Sequence, residues 1–194
     1  MIKITQKDNK RFEEIAEKRV TIRPFVGNTE KDKRYRRNKV KGEGWKAFSY
    51  FCLEYFPHIF GLKFSEGHRE AFEYVDERDG INAVSGYRGM GKTVELGIVY
   101  PIWKIIKGES YVIHVASDEG LAAERTSFTY NELTQNTRLI NDYPELAPIG
   151  SDEVDFFLKN RTRIRARGKL ISWLSKGTPS IRLRAYRSIS AATG

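Results

Sequence analysis

An α/β fold, with helices flanking a mostly parallel sheet, is predicted by three observations. The middle of the chain alternates between strand-like and helix-like runs. A glycine-rich segment, Gly86, Tyr87, Arg88, Gly89, Met90, Gly91, Lys92 and Thr93, stands between the first of these strands and the helix after it. The following strand, over 110–116, is almost continuously apolar, as expected inside a parallel sheet with both faces covered. Strand, loop, helix, strand and helix in that order make a βαβ unit with the glycines at its first turn.

Composition sets the frame for these elements. The chain has 194 residues, 40% of them hydrophobic and 12% aromatic, enough for a packed core of one ordinary domain. Its formal net charge of +9 points to an anionic partner such as a nucleic acid or a nucleotide. No apolar stretch approaches the roughly 18 residues that span a bilayer, and the N-terminus carries no hydrophobic signal core. Cys52 is the sole cysteine, so neither an intrachain disulfide nor a cysteine-based zinc site is available. A cytoplasmic protein is expected.

Residues 1–44 read as a basic arm. Lys31, Lys33, Arg34, Arg36, Arg37, Lys39 and Lys41 leave little apolar material to bury, which predicts a flexible segment. It is either a solvated tail or a contact for nucleic-acid phosphates or an acidic partner. From Trp45 the composition changes. Trp45, Phe48, Phe51, Leu53, Tyr55 and Phe56 recur at helical spacings and read as core, and Pro57 ends that helix. A second helix is predicted over 65–78 with Ser65 as its cap, and a short strand over 81–85. After the loop, 93–106 reads as a largely buried helix, kinked or broken at Pro101. Ser117 and Asp118 supply a cap for a helix over about 119–133. The segment 156–168 reads as a hairpin with Lys159 and Asn160 near its turn.

The glycine-rich segment meets the pattern G-x-x-x-x-G-K-[ST] through Gly86, Gly91, Lys92 and Thr93. Gly86, Gly89 and Gly91 permit backbone conformations that turn successive N–H groups onto phosphate oxygens. The helix opening near Lys92 aims its positive end at the same place. In this chemistry Lys92 reaches the β- and γ-phosphates, and the Thr93 hydroxyl helps hold magnesium. The pattern lies between a predicted strand and a predicted helix, the context that gives it meaning. ATP and magnesium are therefore the expected ligands, and the fold class is that of a P-loop NTPase.

Hydrolysis on such a fold also needs an aspartate at the end of an apolar strand and a group that orients water. Asp76 and Glu77 precede the loop in a charged helical context, and Asp152 and Glu153 follow Gly150 and Ser151 rather than an apolar strand. The chain thus reads as incomplete at its C-terminus: an N-terminal fragment, a truncated remnant or an engineered piece. Further along, Arg161, Arg163, Arg165 and Arg167 alternate, so in a strand they share one face. With Lys169, Lys176, Arg182, Arg184 and Arg187 they form a long stretch free of acidic residues. That stretch is either a surface for duplex DNA phosphates, a solvated sheet face, or a surface met by another part of the protein.

Taken together, residues 50–184 resemble the N-terminal part of the ATPase domain of phage terminase large subunits, the motors that package double-stranded DNA. Phe64 and the stretch around His68, Arg69 and Glu70 are similar to the F-H-x-E segment upstream of their phosphate loop. Arg88 and Gly89 match their arginine-glycine variant of the loop, with Tyr87 where the family has Val or Pro. The strand to residue 117, Asp118 and Glu119 with Ala122 and Ala123, the segment 131–136 and the hairpin ending at Gly168 follow in the family's order.

The resemblance implies an ATP-driven translocase of duplex DNA, working as a homo-oligomeric ring at a capsid portal in the host cytoplasm. Its partners would be the portal protein and the small terminase subunit. Arg88 would be a second cation near the phosphates, catalytic beside Lys92, or else an exposed loop residue. An arginine there would stabilise charge developing on the γ-phosphate. His68 would lie near the nucleotide base, or else be a packed helix histidine. Gly86, Gly89, Met90, Gly91, Lys92 and Thr93 would hold ATP, with Thr93 on magnesium. The domain division is an arm over 1–44 and an ATPase part over 45–194. Two rivals stand beside this reading: another P-loop enzyme, helicase-like or a nucleotide kinase, and a non-catalytic remnant that binds nucleotide or DNA.

Overall fold

The computed structural model describes residues 13–15, 17–19, 21–61, 63–77, 83–85, 91–116 and 118–168. It is an α/β structure: a four-stranded mixed sheet flanked by helices. Residues 13–15 and 17–19 are helical and lead into α1, Glu30–Lys41. A capping box opens α1, with the Thr29 hydroxyl accepting from the Asp32 amide and the Asp32 carboxylate from the Thr29 amide, each at 3.2 Å. Acidic residues occupy its first turn and basic ones its last, the order the helix dipole favours.

Residues 30–41, read from sequence as part of a flexible arm, are thus a helix, and it is docked. Val40 is fully buried, and the Trp103 indole donates to its carbonyl at 3.0 Å. Arg36 donates through Nε (2.7 Å) and Nη2 (2.8 Å) to the buried carboxylate of Asp142, which also accepts from the Tyr55 hydroxyl at 2.7 Å. The Phe25 ring lies under the same guanidinium at 4.0 Å, and Arg37 pairs with Glu145. Part of the basic run is therefore spent on carboxylates more than a hundred residues away.

The core is aromatic. Helix α2, Gly44–Tyr55, and α3, Glu66–Asp76, face α4, which is α-helical over Lys92–Val94, turns as a π-helix over Glu95–Val99, and is α-helical again over Tyr100–Ile106. Phe48 stacks on Phe72 at 4.5 Å, and Trp103 meets both rings edge-on at 5.5 Å. Such offset and edge contacts are the arrangements ring quadrupoles favour. Phe48, Phe51, Tyr55 and Phe56 are fully buried as expected, whereas Leu53 faces outward. The expected disturbance at Pro101 takes a specific form. Proline brings no N–H to the ladder, and the turn ahead of it widens so that the Tyr100 amide bonds the Glu95 carbonyl.

Strand β1 is Tyr111–Ala116, followed by α5, Glu119–Gln135, and α6, Thr137–Asp142. Asp118 caps α5 by accepting from the Gly120 and Leu121 amides. A 3₁₀ turn, Pro144–Leu146, leads to β2, Pro148–Ile149, β3, Asp155–Leu158, and β4, Arg163–Gly168. The sheet order is β1-β4-β3-β2. Among the described strands only β1 and β4 run parallel, while β4 with β3 and β3 with β2 run antiparallel, so the expected mostly parallel sheet is corrected to a mixed one. The reason is connection length. The turn at Lys159 and Asn160 is too short for a crossover, so β4 must reverse β3, whereas α5 and α6 provide the long return between β1 and β4.

One sheet face packs on α5. His114 and Ile164 are buried there, and the His114 ring lies 3.4 Å from the Thr129 hydroxyl. Burial brings the His114 imidazolium down to a pKa of about 4, with the charge of Arg125 acting in the same direction. Gly168 admits the start of α5 so closely that a Cβ would meet Glu119 backbone at 2.7 Å. Among the described residues, no helix is long and apolar enough to cross a membrane.

Candidate functional site

The site is built where α3 meets the start of α4. Gly91 caps α4 at φ 88 and ψ 2, in the left-handed region, and its carbonyl accepts from the Val94 and Glu95 amides at 3.0 Å. A side chain at this position would be strained, which is the local reason for glycine. Lys92 and Thr93 are then the first two helical residues, Lys92 half-buried and Thr93 exposed. Amides in a first helical turn point out of the helix N-terminus, and the dipole makes that end positive.

His68 belongs to the same corner. It stands in the first turn of α3, where its Nδ1 accepts from the Ser65 amide at 3.1 Å and lies 2.6 Å from the Ser65 hydroxyl. Its Nε2 lies 3.9 Å from Oε2 of Glu95. The histidine singled out upstream of the loop is thus held against the helix that Lys92 opens. Gly86, Arg88, Gly89 and Met90 lie outside the described residues, as does Tyr87. Of the strand expected over 81–85, residues 83–85 show no regular structure and the rest lies outside the described set.

Glu95 was not singled out from the sequence, yet it is the most perturbed carboxyl beside the site. It is buried in the π turn, and burial pushes its pKa up to about 8, so at neutral pH it is largely the uncharged acid. Among the described residues, its Oε1 has no hydrogen-bond partner. The buried Cys52 thiol nearby is pushed well up, first by its own burial and then by Glu95. One signal was available: Glu95 is the sole acidic residue in the apolar run 93–106.

Acidic residues weighed as catalytic partners have local jobs instead. Asp76 accepts from the Tyr100 hydroxyl at 3.2 Å and pairs with Lys104 on α4 at 3.5 Å. Asp152 caps a turn by accepting from the Val154 and Asp155 amides, and Glu153 bonds Ser127. Among the described residues, no group of three His, Cys, Asp or Glu side chains is placed to hold a metal ion. Of the four alternating arginines, Arg163, Arg165 and Arg167 fall on β4, whereas Arg161 stands ahead of it in the turn at φ 72 and does not share their strand face. Arg163 and Arg165 both pair with Asp155, which is held below the usual carboxylate range chiefly by the Arg163 hydrogen bond. Lys169, Lys176, Arg182, Arg184 and Arg187 lie outside the described residues. Compared with known proteins, the chain matches no family model, no curated protein and no solved structure.

Proposed function

We propose that this chain binds ATP with magnesium through residues 86–93, as the nucleotide-binding part of a viral DNA-packaging motor of the terminase large subunit type. The observation that carries the reading is the coincidence of pattern and geometry at Gly91. The second glycine of G-x-x-x-x-G-K-T stands in the left-handed region, and Lys92 and Thr93 open a helix directly after it. A left-handed turn leading into a helix N-terminus suits a phosphate group, which accepts from outward-pointing amides.

In this reading the Lys92 ammonium would neutralise the β- and γ-phosphates, and the Thr93 hydroxyl would help hold magnesium. The role proposed for Arg88 is to stabilise the charge that would build on the γ-phosphate as it is transferred. When bound, magnesium would supply charge neutralisation at the phosphates. His68 closes the corner on the α3 side, toward the base. Double-stranded DNA is the substrate moved, and further copies of the chain, a portal protein and a small terminase subunit are the partners this function requires.

Thermal unfolding tests the nucleotide step. Saturating ATP with magnesium, at about 100 times its Kd, stabilises the folded chain by about 2.7 kcal/mol and raises Tm accordingly. Thr93→Ala should lose the part of this gain that depends on magnesium. A Tm indifferent to ATP with magnesium would remove the nucleotide reading and the motor with it.

A further inference from the structure

The register of the sheet sets rings and arginines in rows on the face turned away from α5. Tyr111 pairs with Arg163, Arg163 faces Phe157, and Phe157 faces Ile149. In the next row Ile113 pairs with Arg165, which faces Asp155, and beyond it Val115 pairs with Arg167. This face is open. Tyr111 is 46% exposed, Phe157 48%, Ile149 58%, Ile113 39% and Val115 38%. Scattered apolar residues are ordinary on a surface, but a contiguous set of this kind marks a contact.

Its charge narrows the partner. Asp155 takes both oxygens' worth of hydrogen bonds from Arg163 at 2.8 Å and lies 3.2 Å from Arg165, while Arg167 has no carboxylate partner among the described residues. Three arginines against one carboxylate leave the face with a surplus of two positive charges (3 − 1 = 2). A second copy docked face to face would set arginines against arginines, so self-association through this face is disfavoured. An anion that also offers flat apolar surface fits both features. The Arg163 guanidinium already lies over the Phe157 ring at 5.2 Å, a cation on an aromatic face.

We propose that this open face binds single-stranded nucleic acid, with unpaired bases stacking on Tyr111 and Phe157 and phosphates meeting Arg165 and Arg167. The two rings stand on strands separated by β4 alone, ~10 Å apart at the usual strand spacing. A four-stranded sheet with exposed aromatic residues suits splayed bases, and such stacking tolerates any sequence. Duplex DNA would engage the arginines through phosphates but leave the rings and the aliphatic row unused, because its bases are already stacked. The inference stands apart from the nucleotide reading, since it uses neither Lys92 nor the segment before it.

Fluorescence anisotropy on the full chain tests it, with labelled oligothymidine of about 20 nucleotides against a duplex of the same length. The oligothymidine should bind at least about tenfold more tightly, weakening steeply as salt rises from roughly 50 to 200 mM. Tyr111→Ala and Phe157→Ala should each weaken it by about tenfold, while Tyr111→Phe keeps a stacking ring and binds as the wild type does. Arg167→Glu should weaken it as well, and offers a change at an exposed site should an aromatic variant unfold. An ATP titration of the same variants, expected to be unchanged, separates this idea from the function of the loop. Equal affinity for duplex, wild-type affinity in the folded Tyr111→Ala and Phe157→Ala proteins, or no binding at low salt would each overturn it. So would a concentration-dependent dimer in sedimentation that Tyr111→Ala dissolves, which would make the face a protein interface.

Discussion

Replacing Glu95 by Gln gives the most quantitative check on the interior beside the site. Its carboxyl titrates near 4.5 in an unfolded chain and near 8 in the fold, because burial disfavours the charged form. The folded state therefore holds this proton more tightly. Stability from it is fully present below about pH 4.5, declines as pH rises, and is lost once pH passes about 8. At about 1.4 kcal/mol for each tenfold in the proton equilibrium, the wild type should lose roughly 3 kcal/mol between about pH 5 and pH 7.5 through Glu95 alone. Glutamine keeps the shape and cannot ionise. Urea unfolding followed by fluorescence, with Trp103 fully buried in the same core, gives both stabilities at each pH. Subtracting the variant curve removes every other titrating group. The difference should grow by about 3 kcal/mol across that window in favour of Glu95→Gln. Two parallel curves would refute the reasoning, because the carboxyl would then sit as comfortably charged inside as outside.

Arg36→Ala strands the buried Asp142 carboxylate without its cation, and should cost about 3–5 kcal/mol in urea unfolding while opening residues 30–41 to protease. Wild-type stability and protease resistance would mean that α1 is not anchored there. His114 titrates at about 4 in the fold against 6.5 outside it, so its contribution is present above pH 6.5 and falls away as pH drops toward 4. His114→Gln should therefore flatten the acid limb of the stability profile by about 3 kcal/mol, and an unaltered limb would contradict the burial argument.

The chain announced its elements more clearly than their partners. Periodicity located α2, α3, α5 and the β3–β4 hairpin because each carries its own local signal: a ring at helical spacing, a cap such as Ser65 or Asp118, a turn at Lys159 and Asn160. The basic run failed for the opposite reason. Whether Arg36 and Arg37 are solvated or paired depends on Asp142 and Glu145, and nothing in the local sequence reveals a carboxylate at that distance. The sheet was misjudged because a continuous apolar run such as 111–116 reads the same whether one face or both are covered. In the fold Ile113 and Val115 face outward while His114 points into α5.

At the candidate site, Gly91, Lys92, Thr93 and His68 could be singled out because the pattern they form depends on spacing alone, and what the structure adds is that His68 and the start of α4 meet at one corner. Glu95 escaped notice because its meaning comes from burial and from the π turn ahead of Pro101, both tertiary properties. The arginine alternation on β4 was visible in the sequence, but its pairing with Asp155 and its rows with Tyr111 and Phe157 needed the strand register.

Isothermal titration of ATP with magnesium into the wild-type chain and into Lys92→Ala tests the central claim most directly. A saturable heat from the wild type, lost or weakened at least about tenfold when the ammonium is removed, is the expected result. Equal binding by the two proteins, or none by either while both remain folded, would contradict it.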